Sequence, residues 1–252
     1  MLVIMKNALK ERLRRKELYI IVVIGVLLFL LCSSESMTIS VEGEALTGFQ
    51  NMFVILHVII NAIGCILGVV LSIGTIPMEY ERRNSHLIWV RGISQKTYHT
   101  GLALANMVSS IIATFILYAM LIVYVLVKGD GINILSLLLA FLLVAVNVGI
   151  TSLFASVLSI VLPSSVTGAV GIVLALVGVF HGALELYRSM VGGVAAMVLK
   201  GLLWLVPDMH GLQAQAQNLI LGKAIDAHLI WAGLLALYIC SLGIIIFKRK
   251  EA

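Results

Sequence analysis

The chain contains five long stretches without a formally charged residue, set apart by charged breaks except where the third and fourth adjoin at Pro163. They are Met52–Met78, Gly101–Val127, Ile132–Leu162, Pro163–Leu184 and Leu229–Phe247. A helix rises about 1.5 Å per residue, so roughly 20 apolar residues cross the hydrocarbon core of a bilayer. Lipid cannot hydrogen-bond exposed backbone groups, and such stretches must therefore be helical. The sequence predicts an all-α integral membrane protein.

The overall composition also indicates that lipid is the main solvent of this chain. Apolar residues make up 61% of the sequence and charged residues 12%, whereas soluble domains carry about 25% charged residues. The polar gaps are too short for a separate soluble domain, so we expect a single transmembrane domain over residues 1–252. The net charge of +5 does not indicate nucleic-acid binding, because the basic residues lie beside the predicted spans.

Six spans are predicted, preceded by a helix that lies on the membrane surface and contacts its lipids. Residues 1–17 form this interfacial helix, with apolar side chains on one face and basic side chains beside them. The apolar set is Leu2, Met5, Leu9 and Leu13, and the basic set is Lys6, Lys10 and Arg14. The first span is Leu18–Ser34, and residues 18–184 hold spans one to five. Span six is 229–247, and 248–252 form a cytoplasmic tail.

The distribution of basic residues predicts the orientation of the chain. With six crossings, all but four of the 17 basic residues fall on the side of the N-terminus, which the positive-inside rule makes cytoplasmic. Both termini are therefore expected in the cytoplasm, and residues 185–228 outside. Within the latter, Ser189–Val206 is apolar enough for a seventh span. A seventh crossing would put Lys248–Lys250 on the opposite side, so re-entrant outer helices are the preferred interpretation.

The most informative polar segment lies between spans two and three, from Glu79 to Gly101. Its acidic residues are expected in the first turn of a short helix, where they interact favourably with the helix dipole. Gly92 can supply the left-handed residue that ends this helix, and Ser94 is a plausible N-cap for the helix of span three. Such an element could be a handle through which a partner moves both spans. The alternative is an ordinary loop that only sets topology.

This segment resembles the stretch after the second span in type-2 permeases of ATP-binding-cassette (ABC) exporters. Glu79 and Glu81 match the acidic helix of that family, and Arg91-Gly92-Ile93-Ser94 matches the turn into span three. Phe247-Lys248-Arg249-Lys250 resembles the basic end that follows the sixth span in the family. The layout of an interfacial helix, six spans and re-entrant outer helices covers nearly the whole chain.

The resemblance implies a non-enzymatic subunit without a nucleotide site, paired with separate ABC ATPase subunits that bind ATP and Mg²⁺. It also implies a second copy or a sister permease, and residence in a bacterial cytoplasmic membrane. In agreement, no G-x-x-x-x-G-K-[ST] motif occurs. The implied ATPase-coupling residues are Glu79, Glu81, Arg82, Arg83, Asn84, His86 and Leu87. Spans rich in Leu, Ile and Val suggest an amphipathic or lipid-like cargo, such as a peptide or drug, although the sequence does not identify it.

Two further sets of residues inside the spans have alternative interpretations. The polar side chains His57, Asn61, Asn106 and Asn147 lie in apolar runs, where polar groups are costly and usually face protein or a cavity. They either bond neighbouring helices or line a translocation path. Gly178 and Gly182 form a G-x-x-x-G pair in span five, which allows close helix packing. That packing is either internal or at a subunit interface.

Enzymatic functions have little support in the sequence. His181 and Glu185 are four residues apart and His210 follows downstream, but no H-E-x-x-H motif occurs, so no metal site is predicted. No Gly-x-Ser-x-Gly motif occurs either. The alternatives to an exporter are a permease that protects its host from membrane-active peptides and, less favoured, an intramembrane enzyme.

Overall fold

The computed structural model describes residues 2–13, 17–33, 40–41, 44–45, 49–81, 90, 92–128 and 133–247. Apart from the turns that connect them, the described residues form helices and one two-residue strand pair, which confirms the all-α prediction. The first part comprises α1 (Leu2–Leu13), α2 (Glu17–Ser33), the pair β1 (Ser40–Val41) and β2 (Glu44–Ala45), α3 (Phe49–Val70), α4 (Thr75–Glu81) and α5 (Gln95–Lys128). The second comprises α6 (Ile134–Val161), α7 (Ser164–Val179), α8 (His181–Met190), α9 (Gly193–Leu205), α10 (Met209–Ile220) and α11 (Ala227–Ile246).

Four described helical segments are long and apolar enough to cross a membrane. If α7 and α8 are counted together as one bent span, there are five. The four are Phe53–Glu81, Gln95–Val127, Ile134–Val161 and Ala227–Ile246. The predicted first span, Leu18–Ser34, coincides with α2, which has 17 residues and is not among these four segments, so its crossing stays a prediction. Helix α9, in the segment considered as a seventh span, has only 13 residues, fewer than the roughly 20 that a crossing needs. The full count of six spans stays a prediction.

The predicted span Met52–Met78 is interrupted by a turn at residues 71–74, between α3 and α4. Pro77 explains the interruption, because its ring has no N–H and clashes with the carbonyl four residues earlier. Proline fits only the first turn of a helix, so a new helix begins at Thr75. Glu79 and Glu81 consequently lie in the last part of α4, and the prediction that they occupy a first helical turn is wrong.

Residues 164–220 fold into short helices separated by sharp breaks. Helices α7 and α8 meet at Phe180 with a bend of 74°. Gly193 has a φ of +70° at the start of α9, a left-handed conformation that glycine adopts without steric cost. Asp208 caps α10, its carboxylate accepting a hydrogen bond from the Gly211 amide at 2.8 Å. Helix α10 packs among α3, α6 and α11.

The parts of the chain that the sequence assigns to the cytoplasm lie at one end of the helix bundle. A buried cluster there joins Ile76 of α4, Tyr98 of α5, Ile160 of α6 and Ile244 of α11, and α1 packs against it through Ile4 and Ala8. Helix α1 and the end of α11 therefore lie at the same end as α4 and the start of α5.

Candidate functional site

Helix α4 and the start of α5 are joined by side-chain hydrogen bonds. The Tyr98 hydroxyl donates to Glu79 Oε2 at 2.8 Å. Gln95 Nε2 donates to the Tyr80 hydroxyl at 2.6 Å, and that hydroxyl lies 2.8 Å from His99 Nε2. These contacts connect the two helices that flank residues 82–94, so a force on the intervening segment would act on both.

The turn into α5 has the conformation that the sequence predicts. Gly92 has a φ of +76°, which confirms it as a left-handed residue. Ser94 Oγ accepts a hydrogen bond from the Thr97 amide at 3.3 Å, and its carbonyl accepts from the Tyr98 amide. Ser94 therefore caps α5, as expected of a serine just before a helix.

Of the residues implied to couple to an ATPase, Glu79 and Glu81 are described. Glu79 is half-buried and Glu81 is exposed at the end of α4. The other five, Arg82, Arg83, Asn84, His86 and Leu87, lie outside the described residues. Their role in ATPase coupling stays a prediction.

A chain of hydrogen bonds, here called the Thr75 relay, runs from this end of the bundle into its interior. Arg12 of α1 donates to Thr75 Oγ1. Thr75 donates to Asn106 Oδ1 of α5 at 3.0 Å, and Asn106 Nδ2 donates to Ser156 Oγ of α6 at 3.3 Å. The relay thus joins α1 to the start of α4 and to two long helices.

A second polar group, here called the central amide cluster, ties α10 to the middle of the bundle. Asn61 of α3 donates to Gln213 Oε1 of α10 at 2.8 Å. Asn147 of α6 donates to Asn61 Oδ1 at 3.2 Å and to the Met209 carbonyl at 2.9 Å. All three side chains are buried. Since buried amides need partners, these bonds specify where α10 sits.

The four predicted path residues are fully buried but do not form one site. Asn61 and Asn147 belong to the central amide cluster and Asn106 to the Thr75 relay, so these three bond neighbouring helices. His57 lies apart, with ring centroids 6.3 Å from Phe53 and 5.9 Å from Tyr118. Lining of a translocation path stays a prediction for all four.

His57 and Tyr118 stand out because their polar atoms are buried without partners. Neither ring nitrogen of His57 nor the Tyr118 hydroxyl has a hydrogen-bond partner among the described residues. An unsatisfied buried polar atom costs about 1–3 kcal/mol, and such atoms commonly mark functional positions or internal water.

Replacing His57 by phenylalanine is therefore expected to stabilise the fold by about 1 kcal/mol, because the substitution removes unsatisfied polar atoms while keeping a planar ring. Thermal unfolding of the full chain in detergent micelles would measure the change, with the exposed His228→Phe as the matched control. A loss of stability would instead show that His57 bonds an internal group such as water.

The Asn147→Leu variant is expected to destabilise the protein by about 1–2 kcal/mol. It leaves Asn61 Oδ1 and the Met209 carbonyl without their donor, although it also removes Asn147 Oδ1, which has no described partner. Asn218→Leu is the control, since Asn218 is half-buried on the same helix as Gln213. Equal thermal stability of the two variants, with transport lost in Asn147→Leu alone, would contradict the bonding interpretation and favour path lining.

Gly178 and Gly182 both pack within the chain. A Cβ at Gly178 would lie 2.9 Å from Met209 Sδ, and one at Gly182 would lie 2.6 Å from His210 Cε1. The bend between α7 and α8 thus fits closely against α10. A subunit interface at these glycines stays a prediction.

Two pairs of ionisable side chains involve α8. His181 Nδ1 lies 3.7 Å from Asp208 Oδ1, and Arg188 Nε donates to Glu185 Oε2 at 2.8 Å. Within the described ranges, no group of three His, Cys, Asp or Glu side chains could hold a metal ion.

The sequence interpretation missed Arg12, Thr75 and Gln213 as structural partners. Gln213 belongs to the polar run Gln213-Ala214-Gln215-Ala216-Gln217, whose repeated amides were an available signal. Thr75 carries no comparable signal, because its partners are remote in sequence.

No protein-family model matches this chain, and no curated protein matches it either. The function is therefore inferred from the arrangement of the residues described above and from the sequence resemblance.

Proposed function

We propose that this chain is the membrane-spanning subunit of a type-2 ABC exporter. It would carry an amphipathic or lipid-like substrate, using ATP hydrolysed by a separate ATPase that holds ATP and Mg²⁺. The finer topology belongs to the same proposal: six spans in a bacterial cytoplasmic membrane, re-entrant outer helices, both termini cytoplasmic, and a working unit of two six-span halves.

The observation that carries the proposal is the way α4 is joined to the start of α5. The bonds Tyr98–Glu79 and Tyr80–His99 connect the helices on either side of residues 82–94. An ATPase docked on that segment would displace both together, as a handle requires. The charged residues there, including Glu81 at the end of α4, would give the docking surface its polar specificity.

The Thr75 relay supports a route by which a movement of α4 would reach the interior of the bundle. Movement of α4 would change the distance between Thr75 and Asn106, and Asn106 is bonded to Ser156 of α6. ATP binding would favour one of two helix arrangements by its differential affinity for them. The Thr75 relay would be one element that differs between these two helix arrangements.

The experiment is purification of the full chain with a co-encoded ATPase, followed by reconstitution in vesicles. We expect stable association and ATP hydrolysis that an amphipathic substrate stimulates. Stimulation only by membrane-active peptides would narrow the role to host protection. A chain that purifies alone and works without ATP would overturn the proposal.

A further inference from the structure

His181, the first residue of α8, faces two other helices through its two ring nitrogens. Its Nε2 lies 3.4 Å from the carbonyl oxygen of Leu203, in the last turn of α9. Its Nδ1 lies 3.7 Å from Oδ1 of Asp208, the N-cap of α10. The side chains of His181 and Asp208 are 20% and 37% exposed, so protons from water can reach the pair. A single imidazole therefore lies where three helices meet.

Both groups that face the His181 ring are hydrogen-bond acceptors. A neutral imidazole has one N–H, so its other nitrogen would turn a lone pair towards an oxygen, whereas an imidazolium donates from both nitrogens. The Leu203 carbonyl needs such a donor, because the residue four positions later is Pro207, which has no N–H. Only the protonated ring can donate to the Leu203 carbonyl and to the Asp208 carboxylate at the same time.

The helices packed on α8 carry few other charges. Within the described ranges, α8 packs chiefly against α7, α9 and α10. Helix α7 has no charged or histidine side chain, and α8, α9 and α10 add Glu185, Arg188, Lys200 and His210. Glu185 is bonded to Arg188, and Lys200 also acts on its charge. A charge from outside the described ranges would move the pH at which His181 changes state, but not the dependence of that change on His181 and Asp208.

Helix α9 is attached in a way that allows it to move. It packs chiefly against α8, and Leu203 is its one buried residue. The connection between the two helices contains Gly192 and Gly193, and a Cβ at either glycine would have no atom within 4 Å. Glycine in open space can change its backbone angles at little steric cost, as a hinge between two helices requires.

We propose that His181 is a pH-sensitive latch between α8, α9 and the start of α10. When its ring is protonated, it bonds both the end of α9 and the cap of α10. When the ring is neutral, one of these contacts is lost and α9 moves away about the Gly192-Gly193 connection. Histidine is the residue whose charge ordinarily changes between about pH 5 and 8. Because the latched state holds one more proton, acid favours it and a rise in pH opens it.

The latch also has a connection to the middle of the bundle. Met209 follows Asp208 in the chain, and its carbonyl accepts a hydrogen bond from Asn147 at 2.9 Å. A change in how α10 begins would therefore act on the central amide cluster. The latch does not depend on the ABC proposal, whereas the proposed topology decides on which side of the membrane the pH is sensed.

The test measures the distance between α9 and the bundle with nitroxide spin labels at Val198 and Leu135. These positions are 64% and 61% exposed, on α9 and α6, and the native cysteines would be replaced. The full chain in lipid nanodiscs is measured at about pH 5.5 and about pH 8, near the two ends of the usual histidine range. We expect one narrow distance distribution at the lower pH and, at the higher pH, an open fraction at least about threefold larger.

Three variants assign the effect to named residues. His181→Gln cannot be protonated and should give the open distribution at both pH values. Asp208→Asn keeps a capping oxygen for the Gly211 amide but removes the charge, so the opening should move to lower pH. His210→Gln is the matched control, because it removes a neighbouring histidine of α10 and leaves both His181 contacts in place. It should open like the parent protein.

Two kinds of result would overturn the proposal. A distance distribution that is the same at both pH values, or that opens at the lower one, would exclude a latch closed by protonation. Opening that survives in His181→Gln, or that is lost in His210→Gln, would show that a different group controls the movement of α9.

Discussion

Reversing the charges of Glu81, Arg82 and Arg83 is expected to lower association with the ATPase by about tenfold or more, and to abolish ATP-driven transport. Glu81 is exposed at the end of α4, and the two arginines follow it outside the described residues. Like-charge contacts across a docking surface cost several kcal/mol, and about 1.4 kcal/mol already gives a tenfold weaker complex. Co-purification at fixed salt concentration measures the effect.

A reversal of the same kind at the other end of the bundle provides the control. Glu185 and Arg188 form an exposed ion pair on α8, and such pairs contribute little to stability. Exchanging them as Glu185→Lys with Arg188→Glu should leave ATPase association unchanged. If both variants bind the ATPase like the parent protein, residues 81–83 are not the docking surface.

Substituting Gly68 by leucine is expected to prevent recovery of folded, monodisperse protein. A Cβ at Gly68 would lie 2.5 Å from Thr151 Oγ1 and 3.0 Å from the Val148 carbonyl oxygen. The carbonyl belongs to α6, so α3 and α6 would have to separate. Overpacking of this kind costs about 1–3 kcal/mol and occasionally more, and leucine adds further atoms in the same direction.

If the Gly68→Leu variant does not fold, Gly68→Ala still allows the effect on stability to be measured. We expect it to lower the free energy of unfolding by about 1–3 kcal/mol. Gly201→Ala and Gly201→Leu are the controls, because a Cβ at Gly201 of α9 has no atom within 4 Å. Equal thermal stability of Gly68→Ala and Gly201→Ala would show that α3 and α6 are not in the close contact described.

The local features of this protein were predictable where one short stretch of sequence determines them. The apolar stretches predict the long helices, because only a helix satisfies the backbone in lipid. Gly92 and Ser94 take the predicted conformations, because left-handed backbone and helix caps depend on single residues. The break before Thr75 had a local signal as well, in Pro77.

The hydrogen-bond networks were not predictable in the same way. The pairs Arg12–Thr75 and Asn61–Gln213 are separated by 63 and 152 residues, and their contact depends on how the helices pack. The three asparagines were recognised as polar groups that need a partner. Which partner each one has follows only from the arrangement of α3, α5, α6 and α10. The ATPase-coupling residues depend on a second protein, so neither the sequence nor the fold of this chain alone determines them.

The most direct test of the proposed function is photo-crosslinking in living cells from position 81. The photoreactive residue p-benzoylphenylalanine would replace Glu81 at the end of α4, and Gly201 on α9 in a control strain. We expect position 81 to crosslink to a cytoplasmic ATPase whose ATP hydrolysis depends on this chain, and position 201 not to do so. Crosslinks from position 81 to lipids or to proteins outside the cell, with no ATPase among the products, would contradict it.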